Sequence, residues 1–311
     1  MLKQDVVIAT HVLFEAQIAP PRERFQLADD LWEGKLEKKT AERVLDSCEP
    51  PGYWPKKPKR LFSQLYAFVR EPAPAEPSGI WDSDLRLQTC IALSRLIQPT
   101  SIGFEYAARI TYNSDGSVSE IIPGPVKGFG AEAYVANKNG CNWLARNDLN
   151  ALKEILRHLP LSNFPQRVQR ALWYHEYAAR SRDVSVRWTL ICTALEALVH
   201  TDLHGSTKQF TKRVSQLASE LGTIQFSEDA AKEAYEFRSR ISHGQGSATL
   251  DINTQGLYEQ MEEVPRETIV RAMRDPDFAR IFERDEGIRT QWPLRRVPQA
   301  SETPASKERG N

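Results

Sequence analysis

A change in sequence pattern near residue 145 is the feature that most constrains how this chain can fold. Before it, β-branched segments and helical patterns alternate with proline-rich connections. After Arg146, apolar residues recur at helical spacing and strand patterns nearly vanish. The pattern therefore predicts an α+β fold, in which an N-terminal mixed α/β region is followed by an all-α helical bundle. The helices predicted after the change span residues 147–159, 164–181, 183–201, 206–222 and 227–244, with shorter helices interrupted by Pro265 and Pro276 over 258–284.

The N-terminal region, taken as residues 1–160, carries the shorter patterns. Its predicted strands span 5–14, 102–112 and 118–122, with a turn at 113–117 between the last two; its predicted helices span 33–47 and 82–98; its proline-rich connections span 48–60 and 70–79. The first connection contains Lys56, Lys57, Lys59 and Arg60. The segment is either a solvated linker or a site where these four cations contact a nucleic-acid backbone.

The C-terminal region divides into a helical bundle, residues 161–290, and a tail, residues 291–311. The tail is polar and contains proline, so it is predicted to be disordered. Within the bundle, the helix over 227–244 has Ser227 as its predicted N-cap and Gly244 as its predicted stop. This helix carries the residues on which the functional argument depends.

Composition excludes several classes of function. The 41 basic and 41 acidic side chains give a formal net charge of zero, so the chain lacks a wholesale basic surface for non-specific nucleic-acid binding, although a local basic site remains open. No apolar run approaches the roughly 18 residues of a membrane span, and the N-terminus lacks a signal-peptide pattern. We therefore expect a cytoplasmic protein that does not contact membranes.

The cysteines and histidines do not predict a metal site. The four cysteines, Cys48, Cys90, Cys141 and Cys192, are far apart and form no CxxC pair. A zinc site, a redox motif and a disulfide framework are all unexpected, and Cys192 lies in an apolar pattern typical of a buried thiol. His200 and His204 are interpreted as loop histidines. No metal and no cofactor are expected.

The segment EFRSRISHGQG, residues 236–246, places Arg238 and His243 at the end of a predicted helix. Five helical positions leave the two side chains about 140° apart around the axis and about 7.5 Å apart along it, so they do not share a face. Ser239 and His243, four positions apart, do share one. This geometry is awkward for a self-contained site and easier for a site shared between two copies of the helix.

Arginine and histidine together suit the cleavage of RNA without a metal ion. Histidine titrates near neutrality and can take or give a proton, while arginine stays charged and can hold phosphate oxygens through two parallel donors. The 2′-hydroxyl of RNA supplies the nucleophile. Taken without context, the same two residues also fit a surface arginine and a histidine stabilised by the dipole at the end of a helix.

The helix carrying TALEALVH (193–200), the KQFTKRV helix and the YEFRSRISHG ending together resemble the Apea-like HEPN family of helical bundles over roughly residues 165–285. The family is characterised by an R-x4-6-H motif, which Arg238 and His243 match with four intervening residues. The resemblance implies a homodimer in which two motifs face one another. It also implies an N-terminal half that recognises something and regulates the bundle.

Active members of that family are metal-independent endoribonucleases, often toxins or antiviral effectors. The resemblance therefore implies RNA as the substrate, His243 as the acid and base, and Arg238 as the clamp on phosphate. The expected products carry 2′,3′-cyclic phosphate and 5′-hydroxyl ends, and the expected role is in defence or growth arrest.

Three further residues are supporting candidates. Many active HEPN motifs have Asn, Asp or His directly after the arginine, whereas this chain has Ser239, which can orient His243 from the previous turn. Ser242 lies beside His243. Glu196, in the ALEAL segment, either faces the motif helix and pairs with Arg238, as the resemblance implies, or is a solvated helix charge.

Two alternatives to the endoribonuclease remain open. One is a non-catalytic HEPN scaffold that binds RNA, a nucleotide or a protein partner in the same groove. The other is an ordinary interaction module in which Arg238 and His243 only finish a helix.

Overall fold

The computed structural model describes residues 4–12, 24–48, 65–70, 85–99, 106–123, 144–181, 183–199, 205–222, 225–244 and 252–294. These residues form a mixed α+β structure with an antiparallel sheet and a mainly helical C-terminal part. No described helix is both long and apolar enough to cross a membrane.

The sheet has six strands in the order β2-β3-β4-β1-β5-β6, and every neighbouring pair is antiparallel. The predicted turn between the last two strands is present, with Gly116 at φ 79° and Asp115 accepting a hydrogen bond from the Ser117 amide at 2.9 Å. The strands are β1 (Gln4–Val12), β2 (Phe25–Ala28), β3 (Leu31–Lys35), β4 (Leu65–Arg70), β5 (Tyr106–Tyr112) and β6 (Val118–Pro123).

Helices cover both faces of this sheet. Neighbouring residues of a strand point to opposite faces, and in β4 Phe68 joins the main hydrophobic core while Val69 joins a second, smaller core. Helix α1 (Lys38–Cys48) lies over β5 and β6 and closes the smaller core. Helices α2 (Leu85–Ile97) and α3 (Arg146–Leu156) pack against β4 and β2, respectively, on the main core.

The C-terminal part consists of helices that pack around large buried side chains. Trp188, Phe210, Phe282 and Trp292 are almost fully buried. Helix α5 pairs along its length with α4, and α7 packs against α5, α6 and α8. The helices are α4 (Gln166–Arg180), α5 (Val184–Val199), α6 (Ser206–Leu221), α7 (Glu228–Ser242), α8 (Ile252–Arg274), α9 (Pro276–Arg280) and α10 (Asp285–Gln291).

One hydrophobic core contains side chains from both sides of residue 160. Leu93 of α2 and Leu152 of α3 belong to the same cluster as Leu172 of α4 and Leu195 of α5. Helix α2 contacts both α4 and α8. The N-terminal helices are thus packed onto the helical part, and the division into domains at residue 160 stays a prediction.

Two sequence predictions about secondary structure are wrong in detail. Residues 33–35 belong to β3 rather than to the helix predicted over 33–47, because they pair with β4 and the helix begins only at Lys38. Pro265 lies inside the continuous helix α8, where buried neighbours such as Met261 and Ile269 hold the flanking turns in the core. Pro276 does separate two helices, as predicted, and begins α9.

The predicted tail is also wrong at its beginning. Residues 291–294 are described: the indole of Trp292 is buried and donates a hydrogen bond to Glu220 at 2.8 Å, and Gln216 donates to the Pro293 carbonyl at 3.3 Å. The chain is therefore fixed to α6 at this point. Outside the described residues lie the rest of the predicted tail, residues 49–60 with their four cations, residues 71–79, and both His200 and His204.

Candidate functional site

Helix α7 begins and ends where the sequence predicts. The Ser227 hydroxyl accepts a hydrogen bond from the Ala230 amide at 3.1 Å, and Glu228 and Asp229 follow in the first turn, where the helix dipole favours acidic groups. At the other end, Gly244 adopts φ 72°, a conformation that favours glycine. The helix thus places Arg238 in its last turns and His243 at its C-cap.

Arg238 is held against α5 by an ion pair. Its Nη2 lies 3.5 Å from Oε2 of Glu196, and the two side chains are 29% and 21% exposed. Glu196 therefore pairs with Arg238, which is one of the two interpretations given for it above. The Nε of Arg238 is buried and has no hydrogen-bond partner among the described residues. A second anion can therefore reach the exposed part of the guanidinium but not this buried donor.

Tyr235 completes the contacts of this pair and was not among the sequence candidates. Its hydroxyl donates a hydrogen bond to Oε1 of Glu196 at 2.9 Å, and the Cζ of Arg238 lies 5.5 Å from the centre of its ring. The ring also packs against Phe210 of α6 at 4.5 Å. Tyr235 and Arg238 are three positions apart on one helix and therefore share a face. This spacing is the only feature of the sequence that links the two residues.

Burial raises the pKa of the Tyr235 hydroxyl, and the negative charge of Glu196 adds to this effect. A hydrogen bond with Ser206 of α6 and the positive charge of Arg238 act in the opposite direction without reversing it. The hydroxyl therefore keeps its proton at neutral pH and can donate to the carboxylate throughout that range.

His243 lies on the surface and does not meet Arg238 within one chain. The residue is exposed, and its imidazole has no hydrogen-bond partner in the described part of the chain. Its backbone amide donates to the carbonyls of Ser239 and Arg240, each at 3.2 Å. With the five-position separation on a regular helix, Arg238 faces Glu196 while His243 remains available to solvent or to another molecule.

The two candidate serines differ in what their hydroxyls do. Ser242 donates its hydroxyl proton to the Arg238 carbonyl at 3.0 Å, a bond within the helix that satisfies the backbone near its end. Ser239 is exposed and lies on the same face of α7 as the C-cap position. Of the two, Ser239 is the one placed to contact His243 or a ligand.

Cys192 lies one turn before Glu196 on α5 and is not a nucleophile in this state. Its Sγ lies 3.6 Å from Sδ of Met261, and the residue is fully buried. Burial raises the pKa of the thiol far above its ordinary value, and the nearby charge of Arg238 does not offset this effect. The thiol therefore behaves as a core side chain.

A second polar cluster lies deep between α2, α4 and α8, and no sequence pattern pointed to it. Arg95 pairs with Glu176 at 3.2 Å, and Nε2 of His175 lies 2.5 Å from Oε1 of Glu262. Arg266 adds a contact with Glu262 at 3.6 Å. These groups come from three helices that the sequence predicts separately, so their meeting follows only from the tertiary packing.

Among the described residues, no group of three or more His, Cys, Asp or Glu side chains could hold a metal ion. Comparisons with protein-family models, curated proteins and solved structures give no significant match to this chain. The residues of α5 and α7 therefore carry the functional information that this chain offers.

Proposed function

We propose that this protein is a metal-independent endoribonuclease of the HEPN type that acts as a homodimer. The observation that carries the proposal is the ion pair between Glu196 and Arg238, which joins a half-buried guanidinium to α5 on the helix that ends at the exposed His243. Two residue types suited to phosphate binding and proton transfer thus lie within two turns of each other.

The proposed reaction needs only the RNA and these side chains. One His243 imidazole takes the proton of a 2′-hydroxyl, whose oxygen then attacks the adjacent phosphorus. The bond from phosphorus to the 5′-oxygen breaks, and a protonated imidazole gives a proton to that leaving oxygen. Arg238 stabilises the charge on the non-bridging oxygens. The products are a 2′,3′-cyclic phosphate and a 5′-hydroxyl.

Two copies of the chain supply one site more readily than a single copy. Within one chain, Arg238 is held on the side of α5, and His243 lies about 140° further around the helix. A twofold-related copy brings a second helix α7 to the same surface, so an arginine of one protomer can face a histidine of its partner. The N-terminal half then has the role of recognition and control, in a protein of defence or growth arrest that works in the cytoplasm.

A non-catalytic scaffold that binds RNA, a nucleotide or a protein partner is the second candidate. The separation of Arg238 from His243 within one protomer favours it, because binding needs only the guanidinium and its exposed surroundings. Ser239, in the position where many active members carry Asn, Asp or His, favours it as well.

An RNA cleavage assay in EDTA separates these candidates. End-labelled single-stranded RNA is incubated with the wild type, Arg238→Ala, His243→Ala and, as a matched control for the loss of a cation from the same helix, Arg240→Ala. We expect metal-free cleavage with cyclic phosphate ends, a loss on the order of 10²-fold or more in the first two variants, and little change in the third. RNA binding without cleavage by the wild type supports a scaffold that binds RNA, and the absence of both contradicts the endoribonuclease and the RNA-binding scaffold alike.

A further inference from the structure

We propose that Tyr235 is a positioning residue that fixes the Arg238 guanidinium for phosphate binding by holding Glu196 and Arg238 together. The phenol touches both members of the ion pair: its hydroxyl donates to Glu196 at 2.9 Å, and its ring lies 5.5 Å from the Arg238 Cζ. This inference rests on the proposed function, since it assigns Tyr235 a part in the same site.

The ion pair alone does not fix the orientation of the guanidinium, so a third residue is needed to hold it. A separation of 3.5 Å between partly exposed charges gives only a weak preference for one geometry, because solvent screens the attraction and both side chains lose conformational freedom. A hydrogen bond from a phenol to the carboxylate fixes the position of Glu196. The contact between the cation and the ring restricts Arg238 from a second direction.

Tyr235 is itself held rigidly. The residue is 7% exposed, and its ring packs against Phe210 at 4.5 Å. Phe210 belongs to α6, so Tyr235 ties the ion pair between α5 and α7 to a third helix. A guanidinium held in this way enters the reaction with its geometry already set, which lowers the cost of ordering it around a phosphate.

A measurement without RNA tests the positioning directly. The exchange of the Arg238 Nε proton with water is followed by NMR in the wild type, in Tyr235→Phe and in Tyr258→Phe, a control that removes a buried phenol hydroxyl elsewhere in the bundle. Because Tyr235→Phe keeps the ring and removes the bond to Glu196, we expect exchange about tenfold faster than in the wild type, with the control unchanged. Equal exchange in Tyr235→Phe and the wild type overturns the inference.

RNA kinetics then show whether Tyr235 acts through Glu196. We expect Tyr235→Phe to lower kcat/KM about tenfold, and to have no further effect in a Glu196→Ala background, because the carboxylate that the Tyr235 hydroxyl bonds is already absent there. Losses that simply add in the double variant overturn the inference. If the wild type neither cleaves nor binds RNA, the proposed function fails, while the proton-exchange measurement still decides whether Tyr235 orders Arg238.

Discussion

The Glu196 carboxylate of α5 lies 3.5 Å from the Arg238 guanidinium of α7. This contact joins the two sequence segments, ALEAL and RSRISHG, on which the proposal of a HEPN bundle rests. Glu196 was interpreted from the sequence either as a partner of Arg238 or as a solvated charge, and its side chain is 21% exposed and paired. The catalytic roles of the two residues remain proposals.

Replacing Glu196 with alanine should destabilise the fold modestly. The change removes the ion pair and leaves the buried Tyr235 hydroxyl without its acceptor, for which we expect a loss of about 1–2 kcal/mol in the free energy of unfolding. Urea unfolding measures it. Glu236→Ala is the matched control, because Glu236 is an exposed helix residue whose contact with Lys232 at 3.9 Å contributes little. Equal effects of the two changes would show that the Glu196 contacts are not formed in solution.

Breaking the buried pair of Arg95 and Glu176 should destabilise the fold far more than replacing Glu196 does. The two side chains are 0% and 3% exposed, and burial lowers the pKa of Arg95 while Glu176 raises it. Glu176→Gln leaves a buried cation uncompensated, so we expect a loss of about 3–5 kcal/mol in the free energy of unfolding. The double variant Arg95→Met with Glu176→Met should recover part of this loss. A Glu176→Gln protein as stable as the wild type would contradict the buried pair.

Glu262 should contribute stability that depends on pH. Although burial raises its pKa, the hydrogen bond and charge of His175 together with Arg266 outweigh that effect and hold the pKa below its ordinary value of 4.5. The folded state therefore gains stability from the ionised carboxylate above pH 4.5 and loses it as the pH falls through the lowered value.

Comparison with Glu262→Gln isolates this contribution. The wild type should be more stable than the variant at neutral pH, and the difference in the free energy of unfolding should shrink as the pH falls below 4.5. Denaturant titrations at several pH values measure the difference. Glu236→Gln serves as the exposed control. A difference that stays constant with pH would mean that Glu262 is not bonded as described.

Cys192 should resist alkylation until the protein unfolds. Its thiol is buried and its pKa is raised, so little thiolate forms and reagents do not reach it. Iodoacetamide labelling followed by peptide mass spectrometry should find Cys192 modified in denaturant and unmodified in buffer. Rapid labelling of Cys192 in the native protein would contradict its position in the core.

The long helices could be predicted from the sequence because their patterns are local. Helices α4 to α7 each begin and end within about two residues of the predicted bounds, and the Ser227 cap is confirmed. The strands β2 and β4 were missed: β2 has only four residues, and β4 pairs with β1, which is distant from it in sequence. Residues 33–35 look helical by composition, yet pairing with β4 places them in a strand.

The candidate site was predictable only in part. The motif spacing identifies Arg238 and His243, and the resemblance to the HEPN bundle made the pairing of Glu196 with Arg238 a hypothesis. Tyr235 belongs to the site because it contacts α5 and α6, and residue spacing within one helix cannot predict contacts with other helices. In the proposed dimer, Arg238 meets the histidine of a second copy of the chain, and residue spacing within one helix cannot reveal a contact of that kind.

A subunit-mixing assay tests most directly the claim that Arg238 of one protomer acts with His243 of its partner. Purified Arg238→Ala and His243→Ala proteins are each inactive on RNA in EDTA, by this account, and are then mixed under conditions that exchange subunits. In a twofold dimer, random exchange should restore about one quarter of the wild-type activity, because half of the dimers then contain one intact site out of two. A mixture as inactive as its components, although heterodimers form and the wild type cleaves RNA, would contradict the shared site.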